Sequence, residues 1–383
     1  MVFASWLKRF RHSLERQARV QCDRLSAPPK ERPARGRRFA HRIEVVEERT
    51  LLSSVTFTVN SLNDAVDANV GDGIADSDLV TPGLQTTLRA AIMEANASTA
   101  DTVKIVLPDI SGTGTTYNLT IAPSGTTDAN GDLDITNSIS RITVNGAGSG
   151  SGTGTVTIDA RGISTRVFNI NSAALGLEIE DVTLRGQVAT GAGGAILNAG
   201  VLDLDDVLVE LSSSNTLGGG LHNASTGTAT IVNSTFDQNS ATGSGDGGAI
   251  FNLGTLVVAG STFSGNSGDD GGALGGGANS STIIESSIFS GNMASGEGGA
   301  IRVGGGGASL NLFASRLTGN TAVSNGGGLI AFSSGAVVLI DSSTIDNNTG
   351  FQGGGLLVGD TVSVVNSTIS GNTASGGSGG GIR

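Results

Sequence analysis

Oxygen donors crowd two short stretches of this chain. DANVGDGIADSD, Asp67 to Asp78, offers Asp67, Asn69 and Asp72 at close spacing, and DANGDLD, Asp128 to Asp134, offers Asp128, Asn130 and Asp132. Hard oxygen ligands at such spacing suit calcium, but neither stretch completes an EF-hand loop, and a solvated acidic turn accounts for both. Calcium is the one cofactor the residues suggest. Asp269 and Asp270 form an adjacent carboxylate pair in a glycine-rich turn, with no partner histidine or Arg-x-Lys beside them. His222 is the one histidine outside the first fifty residues and has no acid or serine motif near it, so it reads as a surface residue. Beyond residue 190 there is no lysine, and the arginines are Arg302, Arg316 and Arg383. Acid–base cleavage of an acidic polymer needs clustered carboxylates and a basic residue. No catalytic set is assigned.

Charge narrows the partners. Residues 1–50 hold 13 Lys and Arg against 6 Asp and Glu, and the remainder holds 9 against 28. An acidic body repels nucleic acid, which needs clustered positive charge. The basic start reads as a leader, 1–54, with Pro28, Pro29 and Pro33 interrupting any helix. Cys22 is the lone cysteine, so no disulfide framework exists. No run of 18 apolar residues is present to span a membrane.

The elements that must position these residues come from a repeat. The apolar residue after each glycine block falls at Ile196, Leu221, Ile250, Leu274, Ile301, Leu329, Leu356 and Ile382, with spacings of 25, 29, 24, 27, 28, 27 and 26. A second anchor, Leu184, Val209, Phe236, Phe263, Phe289, Leu317, Ile345 and Ile369, gives the same period of about 26–27. Each repeat carries three short strand-like pieces and no helix. Such a unit cannot bury a face alone, and stacking coils solves this. The expected fold is all-β, a right-handed parallel β-helix over 140–383. A cap region, 55–139, precedes it. Its one helix is expected over 86–98, capped by Thr86 or Thr87, with Leu88, Ala91, Ile92 and Ala95 on one face.

Stacking turns a repeat into columns. Asn239, Asn266, Asn292, Asn320, Asn348 and Asn372 should form a hydrogen-bonded ladder at one corner. Ser234, Ser261, Ser287, Ser315, Ser343 and Ser367 should form another, and Phe236, Phe263 and Phe289 a stack in the core. GGAI at 193–196, 247–250 and 298–301, with FxxN at 236–239, 263–266 and 289–292, resembles the repeats of the polymorphic outer-membrane protein family of bacterial surface adhesins. VNSLNDAVDANVGDG, TLRAAIMEANA, GDLDIT and VTIDARGISTRVFNI resemble the CSLREA-type region found ahead of bacterial β-helices, though the cysteines that name that family are absent. IEVVEERTLLSS, Ile43 to Ser54, resembles the leader motif of exported planctomycete surface proteins.

One outward column carries the functional expectation. Leu197, His222, Phe251, Gly275, Arg302, Ile330 and Leu357 follow the inward anchors by one residue. Large and mostly apolar, the column reads as a contact face for a surface polymer, a glycan, a protein partner or another copy, unless a long loop covers it. The expected function is a non-enzymatic, adhesin-like protein at the cell surface, outer membrane or outside the cell. The alternative is a carbohydrate-active β-helix enzyme, lyase or hydrolase, with a site the motifs do not display.

Overall fold

The computed structural model describes residues 52–123, 131–146, 156–188, 190–332, 335–359 and 361–383. The leader as far as residue 51, and Asp128 and Asn130, lie outside them.

Alternating apolar and polar residues make short strands, and each strand finds its partner one repeat later. Among the described residues these strands form four sheets. Sheet 1 has eleven strands, from Ser54–Thr58 to Thr361–Val365, and sheet 2 has ten, from Thr115–Asn118 to Thr368–Ser370. Sheet 3 has eight, from Gln187–Val188 to Thr373–Ser378, and sheet 4 has nine, from Leu133–Ile135 to Leu356–Val358. Pairing is parallel from end to end, with Leu256 on Thr282, Phe263 on Phe289 and Ile250 on Leu274. The fold is a parallel β-helix. The three expected strands of each coil are joined by a fourth, two-residue strand such as Met293–Ala294 in sheet 3.

The coils begin earlier than residue 140. Ser54–Thr58 pairs with Thr102–Leu107, which pairs with Arg141–Gly146, all in sheet 1. The period was hidden because a long insertion separates the first two strands. That insertion holds the helix, α1 (Leu88–Ala97), whose Thr87 side chain accepts from Ala90 N at 3.0 Å. Leu88, Ala91, Ile92 and Ala95 are buried, and α1 packs against Thr102–Leu107 and Leu133–Ile135 at the N-terminal end of the coils. A covered end is what an otherwise open strand edge requires. Among the described residues no helix is long and apolar enough to cross a membrane.

The corner between sheets 1 and 2 is sharp. Asp206, Asn233, Ser286, Ala314, Ser342 and Asn366 sit there with φ between 47° and 55°. Side chains other than glycine resist that conformation. The serine that follows stabilises the corner. Ser261 Oγ accepts from Ser234 N at 3.1 Å and donates to Ala259 O at 2.9 Å, and the same pair of bonds recurs at Ser287 and Ser315.

Candidate functional site

The first acidic turn is organised by α1. Arg89, fully buried, donates from Nε to Asp64 Oδ1 at 2.6 Å, and Asp64 Oδ2 accepts from the backbone of Thr120 and Ile121 at 2.7 and 2.9 Å. That pair pins the loop to the helix. One turn further along, Glu94 accepts from Gly71 N and Gly73 N at 2.9 Å. Asp67 Oδ1 accepts from Asn69 N at 2.8 Å, and Asp72 Oδ2 accepts from Asn69 Nδ2 at 2.9 Å. Asp67 Oδ2 is buried and has no hydrogen-bond donor. Burial pushes the Asp67 carboxyl up, the Asn69 backbone bond opposes this, and Glu94, Asp72 and Asp76 push it further up. So Asp67, Asn69 and Asp72 do come together, and they are joined by Glu94 and Asp76, which the sequence reading missed. Glu94 lies on a helix 22 residues beyond Asp72, so only the loop-to-helix hydrogen bonds reveal it. Asp132, from the second acidic stretch, is elsewhere and pairs with Arg166 Nη1 at 2.9 Å. Among the described residues no group of three or more His, Cys, Asp or Glu side chains is already drawn together as a metal cluster.

The outward column on sheet 4 has the expected register, with Leu197, His222, Phe251, Gly275, Arg302, Ile330 and Leu357 stacked in order. It is not an exposed face. Ile330 is 1% exposed and His222, Phe251 and Leu357 are 6–7% exposed, with Leu197 and Arg302 half-buried. The glycine-rich turn from sheet 3 to sheet 4 folds back over it. A Cβ built on Gly275 would stand 3.1 Å from Gly247 N, and one on Gly326 would stand 2.8 Å from Ile330 Cβ. The contact-face reading is therefore corrected: these side chains make a second apolar layer beneath a turn, as any covered outward position can. His222 and Phe251 stack at 5.9 Å with rings 4° apart. Burial, and then the neighbouring Arg166 charge, hold the His222 pKa at about 4, and its Nδ1 has no partner. His222 is thus a buried neutral ring and not a surface residue. The Phe251 ring fills the space at Gly275, and Arg302 pairs with Asp246 at 3.3 Å and Asp270 at 3.1 Å. Asp269 accepts from Ser295 Oγ at 2.7 Å. The adjacent carboxylates are thereby committed to the turns.

The outer face of sheet 1 changes character along the coils. Its central column runs Lys104, Thr143, Glu178, Asp203, Thr230, Val257, Ile283, Asn311, Leu339, Ser363. The early half is charged, and Arg141 bridges Glu178 at 3.5 Å and also pairs with Asp203. The later half is uncharged, with Val257 and Ile283 adjacent and Leu339 following across Asn311. Ile283 is 36% exposed, and flanking Val337 and Val365 are 52% and 41% exposed. These residues lie a full coil apart in sequence, so they become neighbours only once the register is known.

The asparagine ladder is continuous. Asn239 Nδ2 donates to Asn266 Oδ1 at 3.0 Å, Asn266 to Asn292 at 2.9 Å, Asn292 to Asn320 at 2.9 Å, Asn320 to Asn348 at 2.9 Å and Asn348 to Asn372 at 3.0 Å. Each Oδ1 also accepts the backbone N–H of the asparagine one coil before. A second ladder, Asn198 to Asn223 to Asn252, lines the corner after sheet 4 with 2.8 Å bonds. Phe236, Phe263 and Phe289 stack at 5.2 and 4.5 Å.

Comparison with known proteins adds little beyond this geometry. No family model matches the chain, and no curated protein matches it. Among solved structures, the chain is similar to one described as the crystal structure of pectate lyase Pel9A. The two are 15% identical with a TM-score of 0.45, over 83% of this chain and 78% of that one. The activity in that description belongs to that protein; the parallel β-helix here stands on its own strand registers.

Proposed function

We propose that this protein is a non-enzymatic β-helix of the cell surface or the extracellular space that holds a polymer or a partner protein against the outer face of sheet 1. The observation that carries the reading is the apolar group of Val257 and Ile283 and, past Asn311, Leu339, with Val337 and Val365 at flanking outward positions. A rigid parallel sheet that leaves such a group open to water offers a contact surface. The ion pairs support the same reading. Arg141, Arg185, Arg302 and Arg316 each bind carboxylates of neighbouring coils, which ties coil to coil, stiffens the wall and occupies groups that acid–base chemistry would use. The leader motif and the GGAI and FxxN repeats, which resemble those of exported surface proteins, support the location.

The test is retention on immobilised cell-wall glycans and acidic polysaccharides. Ile283→Ser with Val337→Ser should cut retention at least about fivefold while the melting temperature stays nearly unchanged, because both residues face water. Equal retention by the double variant would overturn the assignment of this face. The second reading, a carbohydrate-active enzyme, is favoured by one observation, the Arg141, Glu178 and Asp203 group on the same sheet. Polymer cleavage that disappears in Arg141→Ala would establish it in place of the first.

A further inference from the structure

We infer that the turn Asp67–Asp76, closed against α1, is a binding site for a hard divalent cation, with Ca²⁺ the fitting one and Asp67, Asp72 and Glu94 the carboxylate ligands. Two independent features of the turn point there. The first is an orphan. Asp67 is 6% exposed, and its Oδ2 has no donor, although its other oxygen is bonded. An anion taken out of water without a partner is costly, and native chains supply one. Glu94 and Asp76, the acids that act on it, are themselves 2% and 8% exposed. The one arginine of α1, Arg89, is directed to Asp64 and to Gly131 O.

The second feature is how Glu94 is held. Gly71 N and Gly73 N both donate to it, so the turn is wrapped around a buried carboxylate. Asp72, whose side chain is exposed, reaches the same carboxylate from the solvent side. Two facing carboxylates with a third orphaned beside them are held together by a proton or by a cation. Three carboxylates that leave the rest of the shell to solvent suit calcium, which takes six to eight oxygens in a flexible arrangement. Magnesium, which demands a strict octahedron and sheds water reluctantly, fits a turn of this kind less well. The side chains do not yet form a closed cluster. Closing it takes a rotation of Asp72, at an exposed position, that exchanges its bonds from Asn69 Nδ2 and Ile74 N for the ion.

The consequence for the molecule is an ion that fastens the loop to α1 and so seals the N-terminal end of the coils. Calcium titration of the chelator-stripped full chain by calorimetry should give one site with a dissociation constant of about 0.1–1 mM, the range of extracellular modules. Ten-fold excess calcium over that value should raise the melting temperature by about 3 °C over the protein in EGTA. Asp72→Asn, at an exposed position that leaves the fold intact, should weaken calcium at least about tenfold. Asp67→Asn should abolish the thermal response yet melt no lower than the parent in EGTA, because it removes the orphan charge and keeps the acceptor for Asn69. Absence of binding heat at about 10 mM calcium would overturn the proposal, as would an undiminished response in both variants. A stripped protein that gains stability on acidification from pH 8 to 5 and ignores calcium would show instead that a shared proton joins the carboxyls.

Discussion

At the scale of the residue, the polar interior works by continuity. Asn292 Oδ1 accepts from both Asn266 N and Asn266 Nδ2, while its own Nδ2 donates to Asn320 Oδ1 and Phe263 O. Truncating it takes the acceptor from Asn266 N and from one hydrogen of Asn266 Nδ2, and the side-chain donor from Phe263 O. Asn372 also accepts from its predecessor, but it is half-buried and water can replace it. Asn292→Ala is expected to cost about 3 kcal/mol and Asn372→Ala about 1 kcal/mol, measured by denaturant unfolding. Equal losses would mean the ladder carries no continuity. His222 makes the opposite kind of contribution. Its pKa lies near 4 in the folded chain and near the ordinary 6.5 when unfolded, so the unfolded chain binds the proton first. Stability is therefore unaffected above about pH 6.5, falls as pH drops towards 4, and levels off below it, a loss of up to about 3 kcal/mol. His222→Phe should remove that slope and stack on Phe251. An unchanged acid limb in the variant would assign the slope to carboxylates instead.

At the scale of the element, what was legible in the sequence was whatever repeats. The Asn and Ser columns and the period recur coil after coil, and the Phe stack runs through three of them, so position alone announced them. The helix over 86–98 was legible too, because Thr87 and the spacing of Leu88, Ala91, Ile92 and Ala95 are local signals; the observed ends are Leu88 and Ala97. The strands Ser54–Thr58 and Thr102–Leu107 were also readable by alternation. Their membership of sheet 1 was not, since one insertion breaks the period. The sheet 4 column shows a different limit. Register told which way Phe251 and Ile330 point, but whether an outward side chain meets water depends on a turn folding back, and GG carries no sign of that. The two-residue strands of sheet 3 were too short to show any alternation. Glu94 as a partner of the acidic turn, and Val257 and Ile283 as a stripe, needed neighbours distant in sequence.

At the scale of the whole molecule, a solenoid should behave as a sum of coils and of the interfaces between them. Thr255 pairs with Ser281, so residues 255–280 amount to one complete circuit through the four sheets. Their excision joins Gly254 to Ser281 and presents each later strand to a partner of the same kind. Ladder asparagines still meet asparagines, Phe236 then meets Phe289, and the apolar columns stay in step. The shortened chain is expected to keep its β-sheet circular dichroism and to melt only a few degrees below the parent. Excision of 255–267 alone is half a circuit. It would place sheet 1 residues where sheet 3 residues belong and turn inward side chains against corners, which a parallel sheet cannot absorb. That variant should lose cooperative unfolding altogether. Two equally stable variants would mean that the coils are not interchangeable units held by register, and two unfolded ones would mean that stability resides in a nucleus within residues 255–280.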